Sequence, residues 1–244
     1  MKKILIFFIT VSLSFSSIQF NHIDNLFDKG SYEEALNACE VISSSNSENS
    51  DFLWRYTRAC FELSDQENDT DKQKYFINKA FPIISDALKI DSLSSKTNHW
   101  YAVIIGKKGQ LEGTKQKILN SYQVRKYGER AIELDPNYDG TQHLMGRWHY
   151  ELASLSWFEK SIASLIYETP PNGDYNKAID FFNNAHQLNL LEIRHLFWLG
   201  KTYLAINQKS KAKDVLSKTI DLTPFDNSDK MMQEEATQLL SKLK

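Results

Sequence analysis

The 244-residue sequence has little glycine, proline or cysteine, with nine, five and two residues respectively. A β-sandwich or an open α/β sheet of this length normally uses more glycine and proline in its turns, so the composition argues against both folds. Positive charge is not in excess, because the formal net charge is −2. Nucleic-acid-binding domains are usually basic, and we expect no nucleic-acid partner. The 41% of hydrophobic residues is sufficient for an ordinary folded core.

The scarcity of cysteine limits metal chemistry. Cys39 and Cys60 are the two cysteines of the chain, and no pair of histidines lies close to them in sequence, so a zinc site is not expected. Two interpretations of the pair stay open. The thiols form a disulfide if the chain resides in an oxidising compartment, or they are small core residues on neighbouring helices.

The first residues differ from the rest of the chain. Lys2 and Lys3 precede an apolar run over residues 4–15, and small serines follow at 16 and 17. This order is typical of a secretory signal peptide. We predict a signal peptide over 1–17 and one folded domain over 18–244, with an exported protein, periplasmic or secreted, that has no stable membrane insertion after cleavage. The alternative is an uncleaved anchor, for which the run is short, since a spanning helix needs roughly 20 residues.

An internal repeat identifies the fold. Residues 193–226 follow the tetratricopeptide (TPR) pattern of two antiparallel helices. Gly200 and Ala212 are the small residues at the helix crossing, and Leu196, Tyr203 and Leu216 are the bulky residues around it. Second-helix halves recur over 30–42 and 173–185, in the same frame. Several copies in one frame predict an all-α, TPR-like α-solenoid of stacked helix pairs.

Helical periodicity predicts about twelve helices and no sheet. The spacing between repeats is irregular, with a polar insert over 64–74 and an extra helix over about 155–167, before Pro170 and Pro171. The last helix has one apolar stripe and is predicted to cap the array. Expected N-caps are Asp51, Asp139, Asp174 and Ser228. The predicted helices cover residues 18–28, 32–44, 50–64, 71–90, 95–109, 113–134, 139–153, 155–168, 174–188, 192–206, 208–221 and 228–243.

Several segments are more specific than the repeat pattern. They include a Gly-Arg-Trp triplet at 146–148 and a Leu-Ser-Trp triplet at 155–157, and the others lie at 121–126, 131–136, 143–145, 170–171, 175, 178, 199–201 and 203. In this order they resemble the regulator of microtubule dynamics family over roughly residues 50–243. The resemblance implies a TPR-like helical fold. In animals the family is associated with microtubules, mitochondria and the endoplasmic reticulum, but a bacterial-type exported member would not meet cytoplasmic microtubules, and fold similarity does not transfer a function.

Catalytic and cofactor motifs are missing from the sequence. There is no nucleophile elbow, no Walker loop and no zincin motif, so we expect no enzyme, no cofactor and no metal. His143 and His149 are six residues apart, which does not place them on one helix face. His186 and His195 flank a loop and are able to meet, but no ligand is evident beside them.

The concave side of the array is the best candidate for function. In TPR arrays the first helix of each pair lines a groove, and the residue after its small glycine is a cation in three helices: Lys107, Arg147 and Lys201. Cations with aromatic neighbours favour an acidic peptide segment or a chain-terminal carboxylate. The predicted groove residues are Lys107, His143, Arg147, Tyr150, Arg194, Phe197 and Lys201.

Other interpretations of the groove and of the function stay open. Arg147 is able to pair with Glu151 one turn later and be structural, and the extra helix is able to fill the groove. We predict a non-enzymatic scaffold or adaptor that binds a protein or peptide. The alternatives are a structural protein that self-associates through Trp157 and its helix, and an enzyme with a site between helices. The sequence names neither the partner nor the oligomeric state.

Overall fold

The computed structural model describes residues 18–156, 159, 161 and 172–243. Within these ranges the chain forms eleven α-helices and one 3₁₀ turn, and no strand. The helices are α1 (18–27), α2 (Tyr32–Ile42), α3 (Ser50–Gln66), α4 (Thr70–Ile90), α5 (Ser95–Glu112), α6 (Thr114–Leu134), α7 (Asp139–Ala153), α8 (Tyr175–Leu188), α9 (Ile193–Ala205), α10 (Lys209–Asp221) and α11 (Asn227–Ser241). The all-α, TPR-like solenoid predicted from the repeats is confirmed.

The helices pack as successive pairs: α3 with α4, α5 with α6, α7 with α8 and α9 with α10. Helices α1 and α2 belong to one hydrophobic cluster. Helix α11 packs against α9 and α10 and ends the array, as its single apolar stripe predicted. Helices α7 and α8 are partners although residues 154–174 separate them, so the insert lies within this pair. Most of the predicted extra helix, the signal peptide and Trp157 fall outside the described residues, and those predictions stay untested.

The N-terminal ends of four helices test the predicted N-caps, and one of the four is confirmed. Asp174 caps α8, with its side chain accepting a hydrogen bond from the Asn176 amide at 2.7 Å. The other three predicted caps are wrong by one or two residues, because Asp51, Asp139 and Ser228 lie inside the first turns of α3, α7 and α11 and not before them. Their caps are Asn49, Tyr138 and Asp226 respectively.

Glycines allow the paired helices to approach closely. A Cβ atom on Gly200 would lie 2.6 Å from the Leu216 side chain, and one on Gly146 would lie 2.7 Å from the Phe182 ring. Leu216 and Phe182 occupy the same position in consecutive repeats, and both are fully buried. Because any larger residue would overlap these side chains, the two glycines set the spacing of the α9–α10 and α7–α8 pairs.

Hydrophobic contacts run in series along the array. One cluster joins α1 to α5, a second joins α5 to α7, and two more connect α7 through α11. This distribution is that of a solenoid, in which each helix pair buries its apolar face against its neighbours. Of the described helices, none combines the length and the apolar character needed to cross a membrane.

The two cysteines belong to the first hydrophobic cluster. Cys39 lies on α2 and Cys60 on α3, and both are fully buried free thiols. Burial raises the pKa of each thiol to about 12. The structure therefore shows the core-residue interpretation and not the disulfide.

The two ends of the array meet at a polar seam. Asp226, at the start of α11, accepts hydrogen bonds from Tyr32 Oη (2.9 Å) and Gln66 Nε2 (3.1 Å). Gln66 Oε1 accepts from the backbone amides of Asn227 and Ser228, and Ser228 Oγ donates to Asp65 Oδ2 at 2.9 Å. These contacts join α2 and α3 to α11, so the solenoid closes on itself around its concave side.

Replacing Asp226 by alanine should open this seam. The change removes the acceptor for Tyr32 and Gln66 and also the N-cap of α11, so we expect a loss of about 1–2 kcal/mol and a larger radius of gyration in X-ray solution scattering. Asp174→Ala is the matched control, because it removes an N-cap away from the seam. Equal radii of gyration for both variants would show that the seam does not hold the ring closed.

Candidate functional site

A central cavity of about 470 Å³ lies inside the closed array. Its wall comes from α3, α5, α6, α7, α9 and α11, with the loop before α7. These are mainly the first helices of successive pairs, which the TPR pattern places on the concave side. The cavity is thus the groove predicted from the sequence, with the two ends of the array meeting beside it.

The structure brings most of the predicted groove residues to this cavity. Five of them line it: Lys107, His143, Arg147, Arg194 and Phe197. Tyr150 and Lys201 do not line the cavity, but both contact the ring of Trp198, which does.

Trp198 lines the cavity but was not among the groove residues predicted from the sequence. The guanidinium carbon of Arg147 lies 3.6 Å from its ring centroid, and Lys201 Nζ lies 4.5 Å from it. Tyr150 packs edge-on against the same ring, with the centroids 5.2 Å apart. A cation held over an indole face at these distances is attracted by the ring. The signal was available, because Trp198 directly follows the predicted Phe197.

Carboxylates accompany the predicted cations. Arg147 donates to Glu151 at 3.1 Å, Lys201 to Glu235 at 2.8 Å, and Lys107 lies 3.5 Å from Asp65. The pairing of Arg147 with Glu151 is the structural alternative left open above. Lys107 and Arg147 line the cavity as predicted. Each of the three cations has an acidic neighbour, so they give the wall no excess of positive charge.

A second charged group lies at the α3–α9 side of the cavity. Arg58 pairs with Glu62 at 3.0 Å, and Arg194 pairs with Glu192 at 2.9 Å. Burial raises the pKa of Glu62, although Arg58 and Arg194 partly offset it. Burial alone would lower the pKa of Arg194, but the nearby Glu192 and Glu62 outweigh burial and raise it. Arg194 is thus a permanent cation, and 40% of its side chain is exposed although it points inward.

A chain of hydrogen bonds connects an aspartate with two histidines. Asp139 Oδ2 lies 3.1 Å from His195 Nε2, and His195 Nδ1 lies 3.1 Å from His143 Nδ1. Burial by itself would raise the pKa of Asp139, but the hydrogen bond and charge of His195 outweigh burial and lower it to about 2. His195 therefore meets His143 rather than forming the pair with His186 that its position in the sequence suggested.

A further histidine contact looks like a catalytic pair but is poorly suited to catalysis. Thr141 Oγ1 lies 3.1 Å from His99 Nδ1. Burial lowers the pKa of His99 to about 3, which makes it a weak base at neutral pH. Thr141 is 1% exposed, so a substrate has no access to its hydroxyl group. Among the described residues no cluster of His, Cys, Asp and Glu is arranged to hold a metal ion.

Comparison with known proteins identifies the family. The family model described as regulator of microtubule dynamics protein 1-3 matches residues 19–244. The chain belongs to this family. It is 34% identical to bovine regulator of microtubule dynamics protein 1 over 219 residues, which cover 89% of this chain and 68% of the relative.

Two more members of the family show how lengths differ. The human regulator of microtubule dynamics protein 1 is 34% identical over 77% of this chain, and the match spans 60% of the human protein. The relative from Caenorhabditis elegans is 29% identical over 90% of this chain and 96% of its own length. This chain thus corresponds to part of the mammalian proteins and to almost the whole of the nematode protein.

Solved structures support the fold. A thermophilic TPR protein from Thermus thermophilus superposes with a TM-score of 0.63 at 14% identity, over 91% of this chain and 98% of that protein. The human IFIT1 dimer with m7Gppp-AAAA superposes with a TM-score of 0.61 at 15% identity, over 93% of this chain and 45% of that one. At such low identity the likeness concerns the fold alone.

Proposed function

We propose that this member of the regulator of microtubule dynamics family is a non-enzymatic scaffold or adaptor that holds a segment of a protein or peptide partner in its central cavity. The observation that supports the proposal is the cavity of about 470 Å³ on the concave side of a TPR-like array. Its wall combines aromatic rings, such as Trp198 and Phe197, with hydrogen-bonding charged groups, such as Arg147 and Arg194. This combination is typical of binding sites.

The size of the cavity favours a short segment over a folded surface. Ligand pockets usually have volumes of roughly 300–1,000 Å³, and the central cavity falls within that range. An interface between two folded proteins normally buries about 800 Å² on each partner, and such a surface does not fit inside a closed ring. We therefore propose that an extended segment enters the cavity and contacts Trp198.

The location of the partner follows from the signal-peptide prediction. If residues 1–17 are removed on export, the partner is one that the mature chain meets in the periplasm or outside the cell. The microtubule role in the relatives' names belongs to proteins that, in the mammals, are longer than this match. We propose partner binding as the shared activity, with a partner different from tubulin.

Charge reversal at Arg147 and Lys201 is the test of this function. Arg147→Glu with Lys201→Glu places new carboxylates beside Glu151, Glu235 and Trp198, so we expect partner capture to fall by about tenfold or more. The matched control reverses Arg125 and Lys218, which lie outside the cavity and form one-turn ion pairs like that of Arg147 with Glu151.

The experiment has two stages. The mature chain first captures partners from the native cell envelope, and the bound segment is mapped by proteolysis. A synthetic copy of the segment is then titrated against all variants by tryptophan fluorescence, with circular dichroism as the check of folding. Equal affinity of the cavity and control variants would refute the proposal. The same titration against a segment with its acidic residues neutralised decides whether the partner is acidic, as the sequence predicted.

A further inference from the structure

The chain contains a single Asn-Gly pair, at Asn172 and Gly173. The pair directly precedes α8, which is capped by Asp174. In such a pair the backbone nitrogen of the glycine is able to attack the side-chain amide carbon of the asparagine, because glycine has no Cβ to shield its nitrogen and adopts many backbone conformations. The structure decides whether these two groups are free to react.

Both reacting groups are unrestrained. Asn172 is exposed and lies outside the helices, where it borders a surface depression with Tyr175 and Lys177, so water reaches its side chain. Within the described part of the chain, no residue forms a hydrogen bond with the Asn172 side chain or with the Gly173 amide. A hydrogen bond to either group would restrain it and protect it from reaction. The two groups are therefore free to meet.

The glycine of the pair is required by the packing of α7 against the start of α8. A Cβ atom on Gly173 would lie 2.3 Å from both His149 O and Ala153 N, and 2.8 Å from the carbonyl carbon of Leu152. These are backbone atoms of the last turns of α7, so they cannot rotate away as a side chain would. Any larger residue at position 173 would therefore push the two elements apart, and the reactive pair is part of the α7–α8 contact.

We propose that Asn172 is a site of spontaneous covalent modification, for which the chain itself supplies the nucleophile. The Gly173 nitrogen forms a bond to Asn172 Cγ, the Cγ–Nδ2 bond breaks, and the amide proton leaves with Nδ2 as ammonia. Water then opens the resulting succinimide ring at one of its two carbonyl carbons. Attack at Cγ gives aspartate, and attack at the main-chain carbon gives isoaspartate. This inference goes beyond the proposed function and does not depend on partner binding.

The two products should affect the α7–α8 contact differently. Isoaspartate routes the main chain through Cγ and so lengthens it by one methylene group next to Gly173, which has no space to move toward α7. We expect the first turn of α8 to loosen, including the 2.7 Å hydrogen bond that Asn176 N donates to Asp174. Aspartate leaves the main chain unchanged, and its charge lies close to the positive end of the α8 dipole. Only isoaspartate should therefore weaken the contact.

Peptide mapping of the ageing protein tests the site. The purified chain is incubated in mildly alkaline buffer, and mass spectrometry with electron-based fragmentation distinguishes aspartate from isoaspartate. We expect Asn172 to react about tenfold or more faster than Asn68, which is also exposed but precedes Asp69 instead of a glycine. A rate at Asn172 no higher than the rate at Asn68 would overturn the proposal.

Two variants separate the chemistry from its structural effect. In Asn172→Gln the same attack would have to close a larger ring, so the modification at this position should stop. Asn172→Asp, measured when freshly purified, carries the new charge without the longer main chain. Hydrogen exchange in the first turn of α8 should be about fivefold faster in the isoaspartate form and unchanged in aged Asn172→Gln and in fresh Asn172→Asp. If isoaspartate forms and exchange stays slow, the loosening of α8 is refuted, whereas the modification site is confirmed.

Discussion

Lowering the pH from 7 to 5 should destabilise the folded chain, because its interior holds histidines in the neutral form. Burial lowers the pKa of His99 to about 3 and that of His149 to about 4. It also lowers the pKa of His143 well below the ordinary value, with added repulsion from His195 and Arg194. In the unfolded chain the same histidines titrate near 6.5.

The sign of the effect follows from the order of these pKa values. Between the folded pKa and 6.5, the unfolded state binds a proton that the folded state does not bind, so stability is complete above pH 6.5 and falls as the pH decreases. At pH 5 the loss is about 2 kcal/mol for His99 alone. Asp229 acts in the opposite direction, because burial raises its pKa to about 6. Its contribution between pH 6 and 5 is about 1 kcal/mol, which is smaller than the sum for the histidines.

Urea unfolding followed by circular dichroism at pH 7 and pH 5 measures the difference. The His99→Leu variant should be less stable at pH 7, because Thr141 loses its partner, but its stability should depend less on pH. The control His22→Leu changes an exposed residue and should keep the full pH dependence. If the unmodified chain is equally stable at both pH values, the histidines are not held neutral as the structure indicates.

Replacing Phe182 by alanine should be the most destabilising single truncation considered for this chain, at about 3–5 kcal/mol. Phe182 is fully buried on α8. Its ring lies directly against Gly146 of α7 and 5.3 Å from the ring of His143. Since Gly146 has no side chain to fill the vacated space, the cavity left by the ring should remain open.

Urea unfolding at pH 7 gives this free energy. Leu191→Ala is the control, because Leu191 is 78% exposed and its truncation should change the stability by about 0.5 kcal/mol or less. A loss below about 1 kcal/mol for Phe182→Ala would mean that α7 and α8 collapse to fill the space, and that Gly146 does not set their separation.

The helices were predicted well because their signals are local. Predicted and observed ends of most helices differ by no more than two or three residues, and Gly200 with Ala212 correctly indicated a close crossing. A small residue repeated at fixed spacing records a contact between neighbouring helices. Gly200 and Leu216 belong to the same repeat, so one sequence is sufficient to reveal such a contact.

The charges of the groove were predicted less well because their partners are distant. Lys107 pairs with Asp65 and Lys201 with Glu235, across different helix pairs. His195 joins Asp139 and His143 across two repeats. No periodicity within a helix encodes these encounters. They depend on the curvature of the whole array, which the sequence pattern leaves open.

By itself the sequence determined the helical repeat, the family and most of the predicted cavity residues, since these follow from the spacing of small and bulky residues along one chain. Only the tertiary structure decided that the array closes, because closure depends on side chains such as Gln66 and Asp226 that lie far apart in sequence. It also decided that the inward cations have acidic partners. These properties depend on the small rotations between successive helix pairs, which add up along the array. A change in the total rotation would separate the two ends without altering any single repeat.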